Sequence, residues 1–276
     1  MTITAQDVNK LRKQTGAGMM DCKKALVETD GDFEAAIDVL RKKGQKVAAK
    51  RGDNDAKEGL VLAKVTNDGK TGVVLSLNCE TDFVAMNSDY MAFVESLMTI
   101  AMDKRPSSTE AMMSEAYDDK LTVSEKIIEQ VGVVGEKLNL SNVEIISADA
   151  VVAYNHPGNQ LATLVALNKA SDSALDAGKQ VAMQVAAMNP LALSKEGIDE
   201  ATIARELEVG KDLAIQEGKP AEMAEKIAHG RLNKFFKENT LLSQMNVRDN
   251  KQSVEQMLNE AEAGLTVVDF KRVALS

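Results

Sequence analysis

The run GLVLAKV, TNDGKT, GVVLSLN, residues 59 to 78, constrains this chain most, because an Asp-Gly turn signal between two β-branched runs commits it to an antiparallel hairpin. An apolar helical pattern, YMAFVESLMTIAM (residues 90 to 102), follows and supplies a cover for one face of the hairpin. After a polar connection comes another helix around KLTVSEKIIEQVGVVG, residues 120 to 135. Residues 151 to 190 then give the same order again: strand, turn with Gly, strand, polar loop and an apolar helix ending near Pro190, as residues 59 to 106 end near Pro106. Sequence identity between the two stretches is low, but the repeated order implies two related α/β layers, each a small sheet covered by helices. The stretch LTVVDFKRVAL, residues 265 to 275, reads as a returning strand.

The first 50 residues have a different texture and read as three short helices. In AQDVNKLRKQ, Val8 and Leu11 share a face, and TGAG then breaks the pattern. MMDCKKALVE carries Asp21 in its first turn, where the helix dipole favours a carboxylate. In TDGDFEAAIDVLRKKG, Asp32 is placed as N-cap, Phe33, Ile37 and Leu40 share a face, and Gly44 is expected as the C-terminal stop. A core this small suits a docking module better than a catalytic scaffold. The polar run AAKRGDNDAKEG, residues 48 to 59, is expected as the linker to the body.

Residues 198 to 238 form a third texture. Ile203, Leu207 and Ala214, then Met223, Ile227, Leu232 and Phe235, give thin apolar stripes on two charged helices, with Gly218 ending the first and Pro220 beginning the second. The expectation is an antiparallel helical hairpin projecting from the body, used as a solvated arm or a protein contact.

Charge and residue usage exclude several functions. The 276 residues carry a net charge of -9, which argues against a broad nucleic-acid surface. Residues 1 to 51 nevertheless carry +4, leaving -13 for the remainder, so a basic head sits on an acidic body. No apolar run approaches the roughly 18 residues of a membrane span, and the start lacks a signal-peptide core, so a soluble, cytoplasmic protein is expected. Cys22 and Cys79 are the only cysteines and His156 and His229 the only histidines, leaving little for a disulfide framework, a zinc site or a His-based nucleophile.

The segment CETDFVAMN, residues 79 to 87, is where a strand gives way to a loop and where chemistry could sit. Glu80 and Asp82 are two apart, so on a continuing strand both carboxylates would share a face, as an acid-base or metal pair requires. No His or third acidic ligand is near them in sequence, and Cys79 has no base to activate it. Nor does NDGKTG make a phosphate loop, since the position five residues before Gly69 is Lys64. Phe83 stays open between a core residue, if the strand runs through it, and an apolar wedge, if the strand ends at Cys79. Met19 and Met20 pose a similar choice, with one expected in the small core and the other facing out.

LRKQTGAGMMDCKKAL, residues 11 to 26, resembles the N-terminal signature of the bacterial elongation factor Ts family, and CETDFVA resembles its second signature. The resemblance extends through TDGDFEAAIDVLRKKG, AMQVAAMNP and GKPAEMAEKIAHGRLNKFFKE, in order, over nearly the whole chain. It implies an α+β fold with an N-terminal three-helix ubiquitin-associated-like domain (1 to 52), two pseudo-repeated core subdomains with small antiparallel sheets (53 to 142 and 143 to 276), and an antiparallel coiled-coil hairpin inserted in the second at about 194 to 238. It further implies a guanine nucleotide exchange factor for elongation factor Tu, without enzyme activity, cofactor, metal, or direct nucleic-acid or membrane contact. By the resemblance, Arg12, Met19, Met20 and Lys23 lie where the family docks on the partner's G domain. Asp82 and Phe83 intrude near the magnesium and phosphate end of its nucleotide site, and the second core subdomain meets a different domain. Gln184 stands where members of the family often have His, and it keeps one donor and one acceptor but no imidazole chemistry. The chain ends soon after FKRVALS, so a longer C-terminal module found in some members is not expected. Self-association through the hairpin or the core is a further use of the same faces. The competing readings are a module binding a ubiquitin-like or other acidic partner, and an acid-base hydrolase using Glu80 and Asp82.

Overall fold

A computed structural model of the protein describes residues 3–275. Three helices open the chain: α1 (Ala5–Thr15), α2 (Met19–Glu28) and α3 (Phe33–Lys50). Thr4 caps α1 by accepting a bond from the Asp7 amide while the Asp7 carboxylate accepts from Thr4, a reciprocal capping box. Gly16 ends α1 at φ 71°, a left-handed angle that suits glycine, so the TGAG turn brings α2 back against α1. Val8, Leu11, Cys22, Ala25, Leu26, Ala36 and Ile37 close a separate small core.

Asp32 caps α3 as expected, by accepting from the Ala35 amide, but α3 does not stop at Gly44. It continues to Lys50, because Gly44 is buried against a helix of the body and Val47 and Ala48 pack on the core beyond it. A mid-helix glycine costs about 1 kcal/mol relative to alanine. Burial of the next turn offsets that, so the expected linker begins as helix.

The body contains two three-stranded antiparallel sheets of the same order. In the first, β1 (Glu58–Val65) pairs with β2 (Thr71–Cys79) in the register Val65↔Gly72 to Glu58↔Cys79, and β2 pairs with β3 (Asn139–Ser147). In the second, β4 (Ala150–Asn155) pairs with β5 (Leu161–Leu167), and β5 with β6 (Val267–Ala274), the returning strand. Each hairpin is followed across its outer face by a 17-residue helix, α5 (Ser88–Lys104) or α8 (Asp172–Met188). Both helices end on a left-handed residue, Arg105 or Asn189, directly before Pro106 or Pro190. β3 crosses the expected division at 142/143 and belongs to the first sheet, so the chain passes between sheets only after Ser147. Its register shift against Ser76 and Leu77 interrupts the alternation that would have marked it as a strand.

The remaining helices fill out the layers. α4 (Asp82–Ala85), α6 (Thr109–Ser114) and α7 (Val123–Val134) join α5 beside the first sheet, and α11 (Val254–Ala261) joins α8 beside the second. The two sheets face each other through Val61, Ala63, Val74, Val151, Leu164 and Val273. Hydrogen bonds also join them: the Asn155 side chain bonds both backbone groups of Ala63, and the Val151 amide donates to Gly69 O at 2.7 Å. β2 is consequently buried at every position, with Val73, Leu75, Leu77 and Cys79 toward the helices and Val74 toward the other sheet.

α9 (Glu200–Gln216) and α10 (Ala221–Asn239) form the hairpin, turning at Gly218 (φ 77°), and its base is closed by bonds between residues 191–193 and 239–242. The seam matches the expected stripe only in part, at Ala214 and Leu232. Gly210, Ala214, Ala224 and Ala228 are buried in it together with Leu232, whereas Met223 is 53% exposed. Small residues win because the helices approach closely, a Cβ on Gly210 standing 3.2 Å from the Ala228 Cα.

Candidate functional site

Two exposed patches collect the residues singled out in the sequence. The first lies on α1 and α2. Cys22, Ala25 and Leu26 turn one face of α2 inward, which leaves Met20, Lys23 and Val27 on the other. Met19 and Met20 are 53% and 62% exposed, so neither fills the small core, contrary to expectation; that core is already closed by Leu11, Leu26 and Ile37. Arg12 and Lys23 are also exposed, giving an apolar face edged by cations. Val27 belongs to this face at 57% exposure, and its i+7 spacing from Met20 was the available signal.

The second patch is α4. β2 ends at Cys79, so Phe83 is not a strand residue; it sits on a one-turn helix with 80% of its surface exposed. Val84 and Ala85 pack on the core and orient the turn, sending Asp82, Phe83 and Met86 outward. Met86, 65% exposed, extends the apolar tip and carried no signal in the sequence.

Two carboxylates fix the entry to that turn. Glu136 accepts from the amides of Glu80 and Thr81 at 3.1 and 3.0 Å and from the Thr81 hydroxyl at 2.7 Å. Thr81 in turn caps α4 by accepting from the Val84 amide. Glu80 accepts from Arg51 at 2.7 and 2.9 Å, from the Asn54 side chain at 3.0 Å and from the Lys137 amide at 2.6 Å. The Lys137 ammonium reaches Gly52 O and Asn54 O, so the 51–54 segment is tied to the same place.

These bonds decide the chemistry. Partial burial opposes ionisation of Glu80, but the bonds from Lys137, Asn54 and Arg51, with the Arg51 charge, outweigh it and hold its carboxyl below the ordinary value. An ionised, fully engaged carboxylate is a structural tie and a poor proton donor. Burial pushes the Cys79 thiol up to about 11, and its Sγ donates to Thr81 O, so it is a packed thiol and not a nucleophile. Among the described residues no group of three His, Cys, Asp or Glu side chains could hold a metal ion.

Gln184 lies elsewhere and does not face solvent. It is 2% exposed on α8; its amide nitrogen donates to Gln244 Oε1 and Met245 O, each at 3.1 Å, and its oxygen accepts from the Val247 amide at 2.8 Å. These bonds hold a loop whose Met245 and Val247 are about half exposed. No helix among the described residues is long and apolar enough to cross a membrane.

Comparison with known proteins adds a family to this geometry. The family model described as Elongation factor TS matches residues 80–276. Proteins named Elongation factor Ts from Christiangramia forsetii and Amoebophilus asiaticus are each 51% identical to this chain over 99% of its length, covering 98% and 99% of their own. One from Clostridium kluyveri is 42% identical over 98% of the chain and 92% of its own length.

Proposed function

The chain belongs to the elongation factor Ts family, and from that premise we propose that it is a guanine nucleotide exchange factor that binds elongation factor Tu in the cytoplasm and destabilises its bound Mg-GDP. Such a factor breaks no covalent bond. It binds the nucleotide-free partner better than the nucleotide-bound one, and by linkage GDP weakens its binding by the same factor.

The observation that carries this reading is Phe83, 80% exposed beside Asp82 on a turn pinned at its entry. An aromatic ring held out in water serves as a wedge only if its base is rigid, and Glu136, bonded to the Glu80 and Thr81 amides and the Thr81 hydroxyl, supplies the base. In the proposed mechanism Phe83 inserts between partner side chains, while the Asp82 carboxylate disfavours the magnesium arrangement electrostatically. Loss of Mg²⁺ removes the largest positive charge holding the phosphates, and GDP leaves. Arg12, Met19, Met20 and Lys23 dock the head on the partner's G domain. The second sheet and its helices, through the loop held by Gln184, dock on a different domain. In this scheme the functional units are the ubiquitin-associated-like head (1 to 52), a first core subdomain ending near residue 147, and a second one bearing a coiled-coil hairpin.

The test is stopped-flow release of fluorescent GDP from elongation factor Tu. Wild type should accelerate release, and Phe83→Ala should slow it by about 5- to 150-fold at saturation, the range of a typical coupling energy, while still forming the nucleotide-free complex. Equal losses in release and in complex formation would make Phe83 a simple anchor. The hairpin exposes Val209, Leu213, Ile215 and Met223, which favours a second use in self-association. Sedimentation should then show a dimer that Leu213→Glu dissociates; a wild-type monomer at all concentrations removes that reading.

A further inference from the structure

The two patches are joined by one helix. The first half of α3 forms the floor of the head, where Ala36 and Ile37 pack under α1 and α2, and just beyond its midpoint Lys43 meets Asp21 at 2.6 Å. Its second half lies on α7. There Gly44 and Gly132 face each other so closely that a Cβ on Gly132 would stand 2.7 Å from the Gly44 Cα, and one on Gly44 2.9 Å from Ile128 O. Both glycines oppose helix formation in mid-helix, and the crossing is the contact that uses their missing side chains. Because backbone meets backbone, no side chain can rotate to let the helices slide. The TGAG turn rests on α7 as well, with Gly16 against Val133. At its far end α3 delivers Arg51 to Glu80, one residue before the threonine that caps the wedge helix. At 18 residues the helix spans about 27 Å.

We infer that α3 is a rigid strut that fixes the spacing and orientation of the α1/α2 face relative to Phe83, with Gly44, Gly132, Arg51 and Glu80 as its positioning residues. What the two faces dock on rests on the exchange reading above; the rigidity does not. Two surfaces preset to one partner bind as a bivalent ligand that spends no entropy on a linker. The strut therefore sets how tightly the factor engages and leaves the action of the wedge, once engaged, unchanged.

The experiment uses the full chain with spin labels at Lys13→Cys on α1 and Thr99→Cys on α5, both exposed, whereas Cys22 and Cys79 are fully buried. Pulsed dipolar spectroscopy should give one narrow distance in the otherwise wild-type chain, a shifted one in Gly132→Leu and a broadened one in Arg51→Gln. Arg51→Gln leaves the Glu136 bonds to Thr81 intact and keeps the test alive if Gly132→Leu misfolds. In GDP release both variants should raise the half-saturating concentration about ten-fold, less than the roughly 10²- to 10⁴-fold worth of full linkage because both faces stay on one chain. The saturating rate should stay within about two-fold, because only ground-state engagement is lost. Unchanged distances in both variants overturn the strut. So do altered distances with an unchanged half-saturating concentration, since head and wedge would then act independently. If the wild-type chain fails to accelerate release, the exchange reading falls while the distances still judge the strut.

Discussion

Glu80 and Asp82 are two positions apart in sequence, yet the fold gives them opposite surroundings. On a continuing strand they would share a face; instead the strand ends, Glu80 turns in to meet Arg51, Asn54 and Lys137, and Asp82 turns out beside Phe83. The ties on Glu80 carry a pH signature. Its carboxyl is held below the ordinary value of 4.5, so its contribution to stability is complete above pH 4.5 and is lost as pH falls through the lowered native value. The stability gap between wild type and Glu80→Gln should thus be constant from neutral pH down to about the unfolded carboxyl range and shrink below it. Chemical denaturation across that range reads it out, and a gap that widens on acidification contradicts the assignment. Phe83 poses the converse case. At 80% exposure its removal should alter folding stability by no more than about 0.5 kcal/mol, so any large loss of exchange in Phe83→Ala reports function and not unfolding.

At the scale of elements, α3 shows tertiary contact overriding local preference. Capping at Asp32 and the 33/37/40 stripe are legible, whereas Gly44 reads as a terminator only because helices often end on glycine. Gly44 was misread because the reason for a glycine there lies on α7, some 90 residues away. Propensity and packing make opposite predictions for Gly44→Ala. A better helix former gains about 1 kcal/mol, whereas a Cβ 2.9 Å from a backbone oxygen costs about 1–3 kcal/mol of strain. A net loss of urea stability is expected, and a gain would mean α3 and α7 separate easily. The hairpin repeats the lesson: its two helices and turn are legible from charge and Gly218, and Ala214 and Leu232 of the stripe are buried in the seam, but Gly210, Ala224 and Ala228 join them there while Met223 is exposed.

At the scale of the whole molecule, the two sheets are one unit. Leu164 of the second sheet and Val61 and Val74 of the first share an interior, and backbone and Asn155 bonds cross between them. Leu164→Ala should therefore cost about 2–5 kcal/mol, and hydrogen exchange should report faster opening of slow amides in β2 as well as β5. Protection lost from β5 alone would show that the sheets open separately.

Local signals in the sequence determined the hairpins, the helices that cover them and the three helices of the head, because capping, turn residues and hydrophobic period act over a few residues. The tertiary structure decided that β3 belongs to the first sheet, that both Met19 and Met20 face outward, that Gln184 is buried under its own loop and that Phe83 is exposed. Each of these depends on which side of a residue its distant neighbours occupy. Whether a ring is buried or exposed is settled by how much room the rest of the fold leaves, and the end of β2 at Cys79 with the turn pinned by Glu136 left Phe83 outside.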